Sequence, residues 1–503
     1  MSASRPAAVI ILAAGEGTRM KSRIPKVLHP MCGRSMLGHA IAAARELDPE
    51  RLVVVVGHGR DQVSAHLAEV APDAQVVVQE RQGGTGHAVR MVIEALGVIR
   101  GQVIVTYADM PLLRAATLDA LAREHETARN IVTVLTARTS DPAGYGRIVR
   151  DASGAMTEIV EESDATEEQR RIDEINSGCY ALDGALLADA IKRVPTGNAQ
   201  GQEYLTDVVV ILRGDGHRVG TVLAADPAEI QGVNDRVQLA RARRVYNDRL
   251  LEGWMRAGVT IVDPATTWLG VDATAEPDAE IGPGTHIEGS TAIGAGARVG
   301  PGCVLRDTVV GAGATVINAV CESAEIGPGA SVGPFTYLRP GTKLGPGARA
   351  GSYVEMKNAV VGEGSKVPHL SYVGDADIGA HSNIGAATVF ANYDGVAKHH
   401  STVGDHVRIG SDSMLVAPVT VGDGAYTAAG SVITDDIPPG ALGIGRAAQR
   451  NVAGWVRRRR AGTASAQAAH AAQAALDTGP AEAGQDAEAA QAAQGQIEEG
   501  PTE

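Results

Sequence analysis

Large rings are scarce in this chain: two Phe, three Trp and ten Tyr, 3% aromatic residues in 503, alongside 61 glycines. That composition fits a solenoid whose interior takes one small aliphatic side chain per corner. Cysteine is sparse too. Cys32, Cys179, Cys303 and Cys321 lie far apart with no CxxC pair, which marks them as free thiols and argues against a zinc site. No apolar run reaches the roughly 18 residues of a membrane span, and no charged-then-apolar leader precedes the first strand. The expectation is a soluble, cytoplasmic protein without a membrane partner. Positive charge is in deficit, with a formal net charge of −14, which speaks against a nucleic-acid partner. Arg457–Arg460 is a local exception, read as a solvated segment. The GxGxxG and GxxxxGK[ST] phosphate-binding signatures are both missing.

What is present is a six-residue period. Small aliphatic residues recur at Ile281, Ile287, Ile293, Val299 and Leu305, then at Ile326, Val332, Leu338, Leu344, Ala350 and Met356. A third run holds Val403, Ile409, Leu415, Val421, Thr427 and Ile433. Neither a helix nor an amphipathic strand yields a strict six; a parallel β-helix with three flat faces does. At about 18 residues per coil and about 4.8 Å per rung, the region predicts about eight to ten coils in a prism about 40–50 Å long. The phase breaks or turns polar at Val360–Val373 and Phe390–Ser401, and loops are expected to leave the prism there.

The N-terminal half alternates short aliphatic strands (7–14, Leu52–Val56, Gln75–Val78, Val103–Thr106, Ile131–Leu135) with helix-like stretches such as Met36–Leu47 and Gly86–Leu96. That order predicts a parallel sheet with helices on both faces and ligands beyond the strands' carboxyl ends. The divisions are residues 1–236, a linker helix at 237–257, the β-helix at 258–461, and an Ala/Gln/Glu-rich tail, 462–503, expected to be disordered.

The first strand runs into Leu12-Ala13-Ala14-Gly15-Glu16-Gly17-Thr18-Arg19-Met20. A Gly-rich turn at a strand end offers backbone N–H groups to phosphates, with Arg19 and Lys26 supplying charge. LAAGEGTRM followed by Pro25-Lys26-Val27-Leu28 resembles the signature of sugar-phosphate nucleotidylyltransferases. Further matches are Gln79, Gly84–Ala88, Tyr107–Asp109, Gly144–Arg147, Ile159–Glu161, Glu174–Gly178 and Gly232–Asn234. With the repeats, and with Leu338-Arg339-Pro340-Gly341, Val354–Lys357, His369–Tyr372 and Asn392–Gly395, the chain from residue 7 to about 455 is similar to one family. This is the family of bifunctional bacterial UDP-N-acetylglucosamine pyrophosphorylase/glucosamine-1-phosphate N-acetyltransferases.

The resemblance implies a Rossmann-like nucleotidyltransferase domain followed by a left-handed β-helix, assembled as a homotrimer. It implies that Leu12, Ala13, Ala14, Gly15, Gln79, Gly84 and Thr85 hold the nucleotide, and that Lys26 neutralises phosphate charge. Tyr107, Ala108, Asp109, Gly146, Glu161 and Asn176 are implied on the sugar side, and Asp109 with Asn234 as Mg²⁺ ligands. In the prism, His369 is implied as general base. Arg339, Lys357, Tyr372 and Asn383 would bind the amino-sugar phosphate. Ala386, Asn392, Tyr393, Ser411, Ala429 and Arg446 would contact acetyl-CoA, the acetyl donor; UTP is the uridylyl donor. Two positions depart from the family, which usually has Gly: Ala108, whose methyl is expected to tighten the sugar pocket, and Ala387, harmless unless its φ is positive or the cofactor packs against its Cα.

Two rivals remain in view. A nucleotidylyltransferase for another sugar, with a purely structural prism, would not need HLSY, EMK and NYDG. A regulatory subunit, as among the translation-initiation exchange factors, would be expected to lose Lys26, Asp109 and Asn234, all of which are present.

Overall fold

The computed structural model describes residues 4–198 and 200–477, and the chain divides into two compact units after Ile444. The N-terminal sheet is ordered Val219–Leu223, Val132–Arg138, Glu174–Asp183, Gln102–Tyr107, Ala8–Ala13, Leu52–Val56, Gln75–Val78. Successive side chains of a strand face opposite sides. Accordingly Val9, Ile11 and Ala13 enter one core while Ala8, Ile10 and Leu12 enter the other. The sheet is mixed, not all-parallel as the alternation suggests. Glu174–Asp183 runs antiparallel to both Gln102–Tyr107 and Val132–Arg138, with a register shift between Asn176 and Tyr180.

Every residue of the three six-residue runs is buried. One face of the prism passes through Thr260, Glu280, Arg298, Thr315, Ser331, Arg349, Lys366, Asn383, Arg408, Tyr426 and Leu442, paired in parallel from rung to rung. Only one of the two expected excursions occurs. Between Asn383 and Arg408 the coil takes 25 residues, and the excess leaves as a loop around Tyr393–Lys398. Around Val360–Val373 no loop leaves: Met356 pairs with Val373 and Val361 with Ile378. The coil there is only a residue shorter than the six-residue pattern allows, which slips the phase without opening the prism.

The helix Arg236–Arg256 begins where the Asp235 carboxylate accepts from Gln238 N at 2.8 Å. Its Leu239 and Ala242 pack with Met20, Met31 and Met36, whereas Leu251 enters the core of the prism. Fully buried Asn247 donates Nδ2 to Thr267 O (2.8 Å) and accepts from Leu269 N (2.9 Å), so its amide takes the place of a missing strand at the first rung. The second unit begins at Gly445. Ala464–Asp477 is an α-helix with no buried residue, contrary to the disorder expected from 462; its alanine-rich composition has the highest intrinsic helix propensity. The rest of the expected tail, from 478, lies outside the described residues. Among the described residues no helix is long and apolar enough to cross a membrane.

Candidate active sites

At the carboxyl ends of the central strands, Leu12, Ala13, Ala14, Gly15, Lys26, Gln79, Gly84, Thr85, Tyr107 and Asp109 line one cavity of about 240 Å³. Gly84 has φ 103°, and a Cβ there would lie 2.4 Å from the Glu203 carbonyl oxygen. Only glycine permits that approach, which is fixed by Gly86 N donating to Glu203 O at 2.8 Å. Gln79 directs Nε2 to Gly84 O at 3.0 Å and pairs it with His87 Nδ1 at 2.9 Å. Arg19 is exposed and stands outside the lining.

Lys26 Nζ donates to Asp109 Oδ2 at 2.5 Å and to Asn234 Oδ1 at 3.1 Å. The two oxygens therefore converge on one point, held by Val233 N donating to Asp109 O at 2.8 Å. A carboxylate and an amide oxygen that converge in this way suit Mg²⁺, a hard cation with a preference for oxygen ligands. No cluster of three or more His, Cys, Asp or Glu capable of holding a metal occurs among the described residues.

Among the residues expected on the sugar side, Asn176 N donates to Gly146 O at 2.8 Å, and a Cβ on Gly146 would meet Glu161 Oε2 at 3.4 Å. Burial raises the Glu161 carboxyl above its ordinary range, against the lowering effect of the Thr206 hydroxyl. Burial likewise raises the Tyr107 phenol, with Glu161 and Asp109 adding to the effect. Tyr107 thus lines the cavity and also feels the Glu161 carboxylate. Ala108 departs from expectation. It is fully buried, packed in the core that holds Met110, and absent from the cavity lining, so its methyl does not narrow the pocket.

The prism builds its site by stacking. Lys366 pairs with Asn383, Asn383 with Arg408 and Arg408 with Tyr426. Three residues beyond each lie His369, Ala386, Ser411 and Ala429, one per coil along a single corner. His369 is exposed. Around that corner, Tyr372 lies on the next face, where Tyr337, Glu355, Tyr372 and Val389 share a register. Arg339 Nη1 is bonded to Glu355 Oε1 at 2.9 Å. The neighbouring Lys398 lowers the Lys357 pKa. With Arg339, the two lysines make this face positively charged. Tyr393 stands 60% exposed on the loop. Arg446 belongs to the second unit and is exposed.

Ala387 has φ 60°, the left-handed region, so the condition under which a Gly-to-Ala change matters is met. Its N–H donates to His369 O at 3.2 Å. It stands in a column of left-handed residues, Phe335, Tyr353, Leu370, Ala387 and Asp412, each at the same corner of successive coils.

Some neighbours went unnoticed in the sequence. Gln82, which donates to Ala14 O at 2.9 Å, and Gln202 both line the first cavity. Lys398 lies in the NYDG loop that the phase break flags, and its position in that polar stretch is the signal.

Comparison with known proteins follows the same division. Residues 9–174 match the model of the MobA-like NTP transferase domain, and residues 400–435 that of the bacterial transferase hexapeptide (six repeats). The bifunctional protein GlmU of Streptomyces avermitilis is 64% identical over 474 residues, 94% of this chain and 98% of that one. The GlmU proteins of Thermobifida fusca (478 residues; 94% and 99%) and Streptomyces coelicolor (479 residues; 95% and 99%) are each 62% identical. Likeness of that order along nearly the whole of both chains means that this protein belongs to the GlmU family of bifunctional uridylyl- and acetyltransferases.

Proposed function

We propose that the chain makes UDP-N-acetylglucosamine at two separate sites, acetylating glucosamine 1-phosphate in the prism and uridylylating the product in the N-terminal cavity. The observation that carries the reading is the meeting of Lys26, Asp109 and Asn234 at the mouth of a cavity, in the same chain as an exposed His369 beside a cationic face.

For acetyl transfer, His369 takes a proton from the amino group of the sugar, whose nitrogen then attacks the thioester carbonyl of acetyl-CoA. The C–N bond forms, the C–S bond breaks, and coenzyme A leaves as a thiol once protonated. Arg339, Lys357 and Tyr372 hold the sugar phosphate, with Asn383 beside the corner. Ala386, Asn392, Tyr393, Ser411 and Ala429 receive the cofactor.

For uridylyl transfer, a phosphate oxygen of N-acetylglucosamine 1-phosphate attacks the α-phosphorus of UTP, and the bond to pyrophosphate breaks. The work is positioning and charge neutralisation. Leu12–Gly15, Gln79, Gly84 and Thr85 orient the nucleotide, Lys26 balances phosphate charge, and Tyr107, Gly146, Glu161 and Asn176 hold the sugar. Asp109 and Asn234 would hold Mg²⁺, which supplies charge neutralisation on the phosphates. Ala108 contributes only the position of its neighbours.

The protein acts in the cytoplasm as a homotrimer on small-molecule substrates, with neighbouring prisms completing each acetyl-transfer site; a threefold mass by light scattering is expected. Coenzyme A release from acetyl-CoA and glucosamine 1-phosphate, followed by pyrophosphate release on adding UTP and Mg²⁺, tests both steps. Pyrophosphate without coenzyme A release, from supplied N-acetylglucosamine 1-phosphate, would reduce the prism to an assembly module.

A further inference from the structure

Along the edge of the cationic face, three polar residues are stacked one per coil. Asn358 Nδ2 donates to Asp375 Oδ1 at 2.8 Å, and Asn392 Nδ2 donates to Asp375 Oδ2 at 2.5 Å. The ladder is built into the backbone: Lys357 and Gly374 pair in register just before it, and Asn358 and Asp375 hold φ of 46° and 49°. Gly374 keeps the space open, since a Cβ there would lie 2.4 Å from the Tyr372 hydroxyl and 2.8 Å from Asn392 Nδ2.

An ionised carboxylate only accepts hydrogen bonds, so both amides must turn their NH₂ groups toward it. Burial works to raise the Asp375 pKa, but the Asn358 and Asn392 amides and the ammonium groups of Lys398 and Lys357 hold it below the ordinary carboxylate range. The carboxylate is therefore charged at neutral pH. Asn392, 8% exposed, accepts no hydrogen bond at Oδ1 from the described residues, which leaves that oxygen free to accept from a ligand. The same residue anchors the loop, because His399 N donates to Asn392 O at 2.8 Å.

We infer that Asp375 is a positioning residue for acetyl transfer, fixing the Asn392 amide so that it offers its carbonyl oxygen to an N–H donor of the substrates. The inference rests on the acetyl-transfer reading above. The donor is either the amino group of the sugar or an amide N–H of the coenzyme A arm, and the two are separable because each belongs to a different substrate.

The test is a swap. In Asp375→Asn, the new amide can donate to Asn392 and turn that residue's NH₂ outward, converting an acceptor into a donor. The double variant Asp375→Asn with Asn392→Asp restores an outward acceptor while keeping an inward one. The KM of a single substrate should rise about tenfold or more in Asp375→Asn, the size of one lost hydrogen bond to a polar partner. The double variant should recover most of the loss. A rise confined to glucosamine 1-phosphate assigns the sugar amine as donor, and one confined to acetyl-CoA assigns the cofactor arm. Uridylyl transfer and the melting temperature of the same preparations report folding and should not change. Unchanged KM values in Asp375→Asn, or a double variant no better than the single, overturns the inference. A wild-type chain that releases no coenzyme A would instead overturn the acetyl-transfer reading itself.

Discussion

In the N-terminal half, the residues that meet at Lys26 come from 83 and 208 positions away in the chain. In the prism, Asn358, Asp375 and Asn392 meet at intervals of 17. The first arrangement needs the whole sheet, its helices and the Gly232–Asn234 segment to be in place before any site exists. The second inherits its geometry from the coil spacing, and a change in one coil is felt mainly by the coils above and below. One site is a cavity at the strand ends beside buried titratable groups, and the other is a ladder running along successive coils.

The sharpest way to break this comparison is to remove the base. His369→Ala should lower acetyl transfer by about 10²–10⁴-fold, the usual worth of a positioned proton acceptor, while pyrophosphate release from supplied N-acetylglucosamine 1-phosphate stays near wild type. Asp109→Ala should do the reverse, cutting uridylyl transfer by about 10²-fold or more and sparing coenzyme A release. Either variant losing both activities while remaining folded would contradict independent sites.

Acid should test the N-terminal core next. His39 is buried against Tyr246, with its Nε2 bonded to Met31 O at 2.8 Å. Burial lowers its pKa from 6.5 to about 4. A group depressed in the folded state contributes stability that is full above its unfolded pKa and is lost as pH falls toward the folded one. Uridylyl transfer and the melting temperature should therefore decline between about pH 6.5 and about 4, with a shallower decline in His39→Phe. The smallest effect expected is at Ala387. Relieving a left-handed alanine gains about 1 kcal/mol, partly offset by the added freedom of glycine in the unfolded chain. Ala387→Gly should raise the melting temperature slightly and leave the KM for acetyl-CoA within about twofold, a difference too small to count as a lost hydrogen bond.

The sequence announced the prism because a small side chain at every sixth position has one geometric cause. It announced the strands at Leu52–Val56 and Gln75–Val78 because short aliphatic runs bounded by turn residues have few alternatives. It did not announce Glu174–Asp183 as an antiparallel strand in the centre of the sheet. Nothing in Glu-Ile-Asn-Ser-Gly gives strand direction, which is set by pairing with neighbours distant in the chain. The phase slip near Val360 misled for a related reason: a missing residue and an inserted loop both interrupt a period, and only the register tells them apart. The ladder through Asp375 was invisible because its partners are 17 residues apart and each looks like an ordinary turn residue. Ala108 shows the limit of comparing single positions, since its neighbours face the cavity and its own methyl faces the core.

The Asn247 amide has a consequence beyond the fold of one chain. The first rung of a stacked prism is a row of unsatisfied N–H and C=O groups, and such an edge is a template on which a second prism can grow end to end. By occupying Thr267 O and Leu269 N, one side chain on a helix terminates what would otherwise be a polymerisable surface. The helix that joins the two halves is thus also a stopper against end-to-end growth from this edge.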